Sequence, residues 1–287
     1  MPRLKHILFP VDFSRPSIRT ASAVAMVTKH FKATLTLLHA ASMPLLPEIT
    51  YPARPYSALR KELQKDSTNA MERFVSRHFP AQVVSGVIEE GDPAQVIVDY
   101  AGKHKMNLIM MATHGYGPFR RFLTGSVTGK VLHDALCPVW TSAHSERALA
   151  RAAGYRNILC AVDCTSDAVP LIRWAGWLGR HYQATVKLVH VIPALNETSR
   201  NRGEVELRRY LVRRTKVEFE LLMDQAGFRN ELLLRGGNIP AKLAETAREQ
   251  HADLVIVGRG HARKALGRLR THSLAIVRES PCPVISI

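Results

Sequence analysis

Long apolar runs are missing from this chain of 287 residues, and with no stretch of about 18 uninterrupted apolar residues a membrane-spanning helix is not expected. Cysteine is scarce. Cys137, Cys160, Cys164 and Cys282 are too few for a disulfide scaffold and fit a reducing, cytoplasmic setting. The 17 glycines and 16 prolines are near average, which excludes a fibrous or low-complexity chain. Residues 1–7 carry Arg3 and Lys5 but run at once into a short apolar strand and Asp12, unlike a secretory signal. Acidic side chains are in deficit, 24 against 40 Lys and Arg, giving +16. That excess suits phosphates, nucleic acid or an anionic membrane without choosing among them. It is spread along the chain, +7 through residue 143 and +9 beyond it, and nothing resembles a nucleic-acid reading module.

What is present is 46% hydrophobic residues, enough for a sizeable core, arranged as a repeat. KHILFPVDFS at 5–14 is echoed by RNILCAVDCT at 156–165; Asp12 aligns with Asp163 and His39 with His190, both at an offset of 151. Residues 91–112 align with 237–258 at an offset of 146, and Cys137-Pro138-Val139 matches Cys282-Pro283-Val284 at 145. The order never breaks, so the chain is two copies of one unit, spanning 1–143 and 156–287 with 144–155 as a linker.

Each copy alternates short apolar runs with helical patterns. In the first, strands are expected at 7–11, 34–40, 83–89, 108–112 and 138–141, with helices near 16–31, 57–78, 93–104 and 126–136. Ser14 and Asp92 stand where N-caps belong, ahead of prolines. In the second, strands are expected at 158–162, 185–192, 231–234, 254–257 and 284–287. Such alternation implies an α/β fold, two tandem doubly wound five-stranded parallel sheets covered on both faces. The proline-rich stretch 41–56 is expected to be irregular. Two final strands with open edges suggest that 139–142 pairs with 284–287 as an intramolecular pseudo-dimer, with further homodimerisation left open.

Ligands of doubly wound sheets bind beyond the carboxyl ends of the strands. Asp12 and Asp163 each follow an apolar strand, where a carboxylate can accept hydrogen bonds from a ribose or an adenine amine. One aspartate alone reads more readily as a helix N-cap; recurrence in the same Val-Asp context narrows that preference. After strand four, Gly115 and Gly125 allow close backbone approach, and Gly125-Ser126 opens a helix whose free N–H groups form a natural phosphate site. Arg120, Arg121 and Lys130 lie nearby. An ordinary glycine-containing loop explains any isolated pair of these glycines equally well.

In combination, the strand ending Val-Asp12-x-Ser14, the loop Ala112-x2-Gly115-x9-Gly125-Ser126 and the terminal Cys137-Pro138-Val139 strand resemble the universal stress protein family, in both copies. The resemblance implies five-stranded α/β units pairing through their last strands, and stress-response regulation. For a subset of the family it implies ATP binding by a Gly-x2-Gly-x9-Gly-Ser/Thr loop. Carried over residue by residue, it places Pro10, Val11, Asp12, Ser14 and Ala40 around the nucleoside, and Ala112, Gly115, Gly125, Ser126, Val127 and Thr128 around the phosphates. A weaker second set is Asp163, Val191, Gly258, Gly260 and Thr271. The implied ligand is ATP or a related adenine nucleotide, with or without Mg²⁺.

Two departures qualify this expectation. Ala112 replaces the first glycine, which would cost about 1–2 kcal/mol if that position were left-handed. In the second copy Gly258-x-Gly260 is one residue short, and Arg270-Thr271 stands where Gly-Ser is expected. A nucleotide site in the first copy and a degenerate second copy are therefore expected. The alternative is a nucleotide-independent protein-interaction module acting through the pseudo-dimer surface. His114 has no carboxylate partner at an obvious spacing, and Cys160-x3-Cys164 lacks companions for zinc. No catalytic dyad is legible, so at most slow ATP hydrolysis is expected. His39 and His190 read as structural, and Arg208, Arg209, Arg213 and Arg214 as a solvated helix face rather than a docking one.

Overall fold

The computed structural model describes residues 3–41, 53–80, 84–113, 125–142, 154–193, 195, 201–259 and 268–287. The chain divides into two compact units, Arg3–Trp140 and a second running from Thr141 to Ile287. In the first repeat the order is β1 (His6–Pro10), α1 (Arg15–Phe31), β2 (Thr34–Ala41), α2 (Ala53–His78), β3 (Val84–Glu90), α3 (Pro93–Lys103), β4 (Leu108–Ala112), α4 (Ser126–Asp134) and β5 (Val139–Ser142). The second follows with β6 (Asn157–Ala161), α5 (Ala168–Tyr182), β7 (Thr185–Ile192), α6 (Arg202–Ala226), β8 (Leu232–Gly236), α7 (Ile239–Glu249), β9 (Leu254–Val257), α8 (Arg268–Glu279) and β10 (Val284–Ser286).

Strands lie in the order β3-β2-β1-β4-β5 in the first repeat and β10-β9-β6-β7-β8 in the second. The registered pairs are parallel: Ile7 sits beside Leu35 on one side and Leu108 on the other, and Ile158 beside Val186 and Leu254. Helices α1 and α2 pack together, as do α3 and α4, giving the two-sided cover that a parallel sheet needs. Coverage from both sides explains why Ile7, Leu8, Phe9 and Ile109 are fully enclosed, whereas edge strand β3 is not.

Local chemistry sets the helix starts. Ser14 Oγ accepts from the N–H of Ser17 ahead of Pro16, Asp92 from Gln95, and Asn238 from Ala241 at the matching position of the second repeat. One expectation needs correction. Part of the stretch thought irregular is helical, because α2 begins at Ala53 with Pro55 in its first turn, where a missing N–H costs no ladder bond. Helix α4 stops at Asp134 rather than Leu136, which is exposed just before Pro138. Most of the linker, 144–153, lies outside the described residues. Gly154 and Tyr155 at its end pack on Tyr182, and Gly154, at φ +84°, would bring a Cβ within 2.7 Å of that ring.

Candidate functional site at the carboxyl ends of the strands

In the first repeat the chain leaves β1 at buried Pro10, and Val11 continues the strand with its N–H on the Leu38 carbonyl, 2.9 Å away. The Val11 carbonyl accepts from His39 Nδ1 at 2.8 Å. Since a carbonyl only accepts, Nδ1 carries the proton and His39 acts as a brace between β1 and β2. His190 makes the same bond to Val162 at the same distance, as expected of a structural histidine.

Asp12 is half-buried at this strand end, with Oδ1 accepting from Ser14 N–H at 3.0 Å and from the Ser17 hydroxyl at 2.5 Å. The helix cap and the carboxylate are thus separate residues. Ser14 caps α1 and is fully buried, so it supports the turn and offers no side-chain contact to a ligand. Asp12 directs its other oxygen, Oδ2, to no partner among the described residues. Between them Phe13 takes a left-handed backbone, φ +58°, and lays its ring 4.7 Å from His39 and 5.8 Å from Phe74. Ser17, which sequence reasoning passed over, is the residue that fixes Asp12. Its only sequence signal was a hydroxyl at the third helical position. Ala40 is half-buried on β2.

The β4 end and the α4 start are fastened to each other. Gly125 N–H bonds the Thr113 carbonyl at 3.0 Å, and buried Thr128 directs its hydroxyl to the carbonyls of Ala112 and Thr113, both at 3.3 Å. Gly125 is favoured by proximity and not by backbone handedness: its φ is −53°, and an added Cβ would stand a tight 3.1 Å from the Thr113 carbonyl oxygen. That bond occupies the Gly125 donor. Among the described residues, the N–H groups of Ser126, Val127 and Thr128 have no acceptor, because α4 has no side-chain cap and its ladder begins at Gly129. Ser126 is exposed, Val127 half-buried and Thr128 buried, and the three N–H groups stand at the positive end of the helix. Lys130 is exposed and leans toward Asp92, 3.6 Å away. Gly115, His114, Arg120 and Arg121 lie outside the described residues.

Ala112 corrects the expected penalty. It is not among the left-handed residues, and its counterpart Gly258 likewise has no positive φ, with an added Cβ meeting only Leu171 at an ordinary 3.5 Å. Alanine fits there without strain.

The second repeat differs at both ends of the corresponding place. Asp163 accepts from Thr165 Oγ1 at 2.8 Å, but Ser17 has become Ala168, which starts α5. Val191 is buried, and Gly258 half-buried. Helix α8 begins at Arg268, three positions before Thr271, so Thr271 sits at the fourth helical position where the N–H joins the ladder. Gly260 lies outside the described residues. Where the first repeat has Phe13, the second has Cys164, 4.0 Å from His190 Nε2; burial, and after it a hydrogen bond with Glu218, pushes this thiol up to about 12. Among the described residues no group of three His, Cys, Asp or Glu side chains is placed to hold a metal ion. None of the described helices is long and apolar enough to cross a membrane.

Comparison with known proteins agrees with this construction. The model of the universal stress protein family matches twice, at residues 3–143 and 154–287. A universal stress protein of Methanocaldococcus jannaschii is 32% identical over 137 residues, covering 47% of this chain and 79% of the relative. One from Bacillus subtilis is 26% identical over 143 residues, covering 46% and 95%. Among solved structures, a universal stress protein from Archaeoglobus fulgidus aligns over 99% of this chain and 96% of its own, with a TM-score of 0.65 at 17% identity, a likeness of fold. Two family matches in tandem, each carrying the same strand order and the same histidine brace, mean that the chain belongs to the universal stress protein family.

Proposed function

We propose that this chain is a nucleotide-binding regulatory protein, with ATP or a related adenine nucleotide held by the first repeat and the second repeat degenerate. The observation that carries this reading is the start of α4, which has no side-chain cap, whose three N–H groups have no acceptor among the described residues, and which is fastened to the end of β4 by Gly125 and Thr128. Anions are stabilised at such a terminus by aligned donors and the helix dipole. Across the switch in strand order between β1 and β4, Asp12 presents Oδ2 for a sugar hydroxyl or an amine. Charge-assisted bonds contribute about 1.5–3 kcal/mol each, so a few of them support micromolar affinity. The described residues fit the ligand, with donors for phosphate and an acceptor for the nucleoside. In the second repeat the early start of α8 withdraws the corresponding donors.

On this reading the protein is cytoplasmic, and occupancy of the site sets conformation or partner choice in a stress response. Calorimetry of the full chain with ATP, ADP and AMP tests it. Binding should fall sharply for Gly125→Arg and little for Thr271→Ala, and the reverse order defeats the assignment.

A further inference from the structure

Helix α6 carries apolar residues on two opposite sides. Thr215, Phe219 and Met223 are buried against its own unit. On the other side Leu207, Tyr210, Val217 and Leu221 are 51%, 58%, 55% and 60% exposed. With Arg214 they step by three and four, the 3.5-residue period of a helix–helix seam. The fold does not require this stripe. In the first repeat the helix at the same place, α2, presents Lys61, Glu62, Lys65, Asp66, Glu72 and Arg73 to solvent. Half of the large exposed apolar side chains among the described residues lie on this one face of α6, a pattern that marks an interaction site.

Charge decides the occupant and its direction. We propose that α6 pairs antiparallel with α6 of a second copy of this chain, Tyr210 against Leu221 and Arg214 against Val217. In that register Arg213 of each copy flanks Glu220 of the other, two complementary pairs related by the two-fold axis. Sliding the helices by one heptad toward their N-termini would instead set Arg213 against Arg213 and Glu206 against Glu220. Sliding them the other way sets Glu220 against itself. A parallel pair would stack Arg214 on Arg214 inside the seam. In the chosen register the Arg214 charge is met by its own Glu218, 2.9 Å away. The overlap from 207 to 224 is about 27 Å long at 1.5 Å per residue.

Sedimentation equilibrium of the full chain tests the proposal. The wild type should dimerise in the micromolar range, and Leu221→Glu should leave a monomer. Arg213→Glu and Glu220→Arg should each weaken dimerisation by at least about tenfold, and the double swap should recover most of it. Because these side chains are exposed, each variant should keep the wild-type circular dichroism spectrum. A wild type that stays monomeric up to about 100 µM overturns the proposal. So does a dimer indifferent to Leu221→Glu, or a double swap no better than the single ones. The result is independent of nucleotide binding.

Discussion

The Ser17 hydroxyl reaches Oδ1 of Asp12 across 2.5 Å, from inside a helix to the strand end before it. This contact turns an aspartate at a loop into a fixed acceptor, with one oxygen committed to the protein and the other without a partner among the described residues. Removing it should leave the fold intact and loosen the acceptor. We expect Ser17→Ala to weaken nucleotide binding about tenfold in calorimetry, since a hydrogen bond to a charged group is worth about 1.5–3 kcal/mol. Asp12→Ala should weaken it further, and Ser17→Ala should add nothing in that background. Independent, additive losses would show that Ser17 does not act through Asp12.

Gly125 and Ala112 make opposite predictions although both occupy glycine positions of the family pattern. Gly125→Ala forces a Cβ to 3.1 Å from a carbonyl that is itself part of the fastening. We expect about 1–3 kcal/mol of destabilisation, typical of overpacking, and weaker binding. Ala112→Gly relieves no strain, because the position is not left-handed. Its affinity should stay within about twofold of wild type, and urea unfolding with calorimetry reads both variants.

At Asn238 the side chain accepts from Ala241 N–H at 3.2 Å and caps α7. Asn238→Ala should cost about 1 kcal/mol, read as a lower urea midpoint at unchanged m-value.

Asp92 does the same for α3 as a carboxylate, and its pKa is lowered from 3.8, first by the Gln95 N–H bond and also by nearby Lys130. A lowered folded value means that the charged form is favoured in the native state. The stabilisation is therefore present above pH about 4 and lost as pH falls through the folded value. Against Asp92→Asn, which keeps the cap without the charge, wild type should be more stable at pH 6 and should lose that advantage in acid. Urea unfolding at several pH values measures it.

Cys164 should resist alkylation. With its thiol raised to about 12, first by burial and then by Glu218, almost none is thiolate at pH 8. Labelling by iodoacetamide, followed by mass spectrometry, should be slow at pH 8 and faster in Glu218→Gln.

How far the sequence could be read follows from the same contacts. Buried parallel strands such as Leu108–Ala112 carry apolar side chains on both faces, so their presence and order are visible as short apolar runs. Caps at Ser14 and Asp92 were visible because the accepting side chain and the following proline sit together in sequence. The start of α2 was hidden, since Pro55 reads as a breaker unless it is known to lie in a first turn. Ser17 and Thr128 were hidden as positioning groups, because a helical hydroxyl gives no sign of whether it faces solvent or a strand end. The Ala112 question turned on a backbone angle that no residue type announces.

The three-residue difference between the starts of α4 and α8 bears on how the two halves can change over time. Arg270→Gly alone would not give the second repeat the open helix start of the first. It would place a flexible residue inside an already formed turn, at about 1 kcal/mol, and leave the donors still internally bonded. Opening those donors requires moving a helix boundary, several coordinated replacements at once. On the proposed reading, the difference between the two repeats thus lies in a backbone boundary and not in any one side chain.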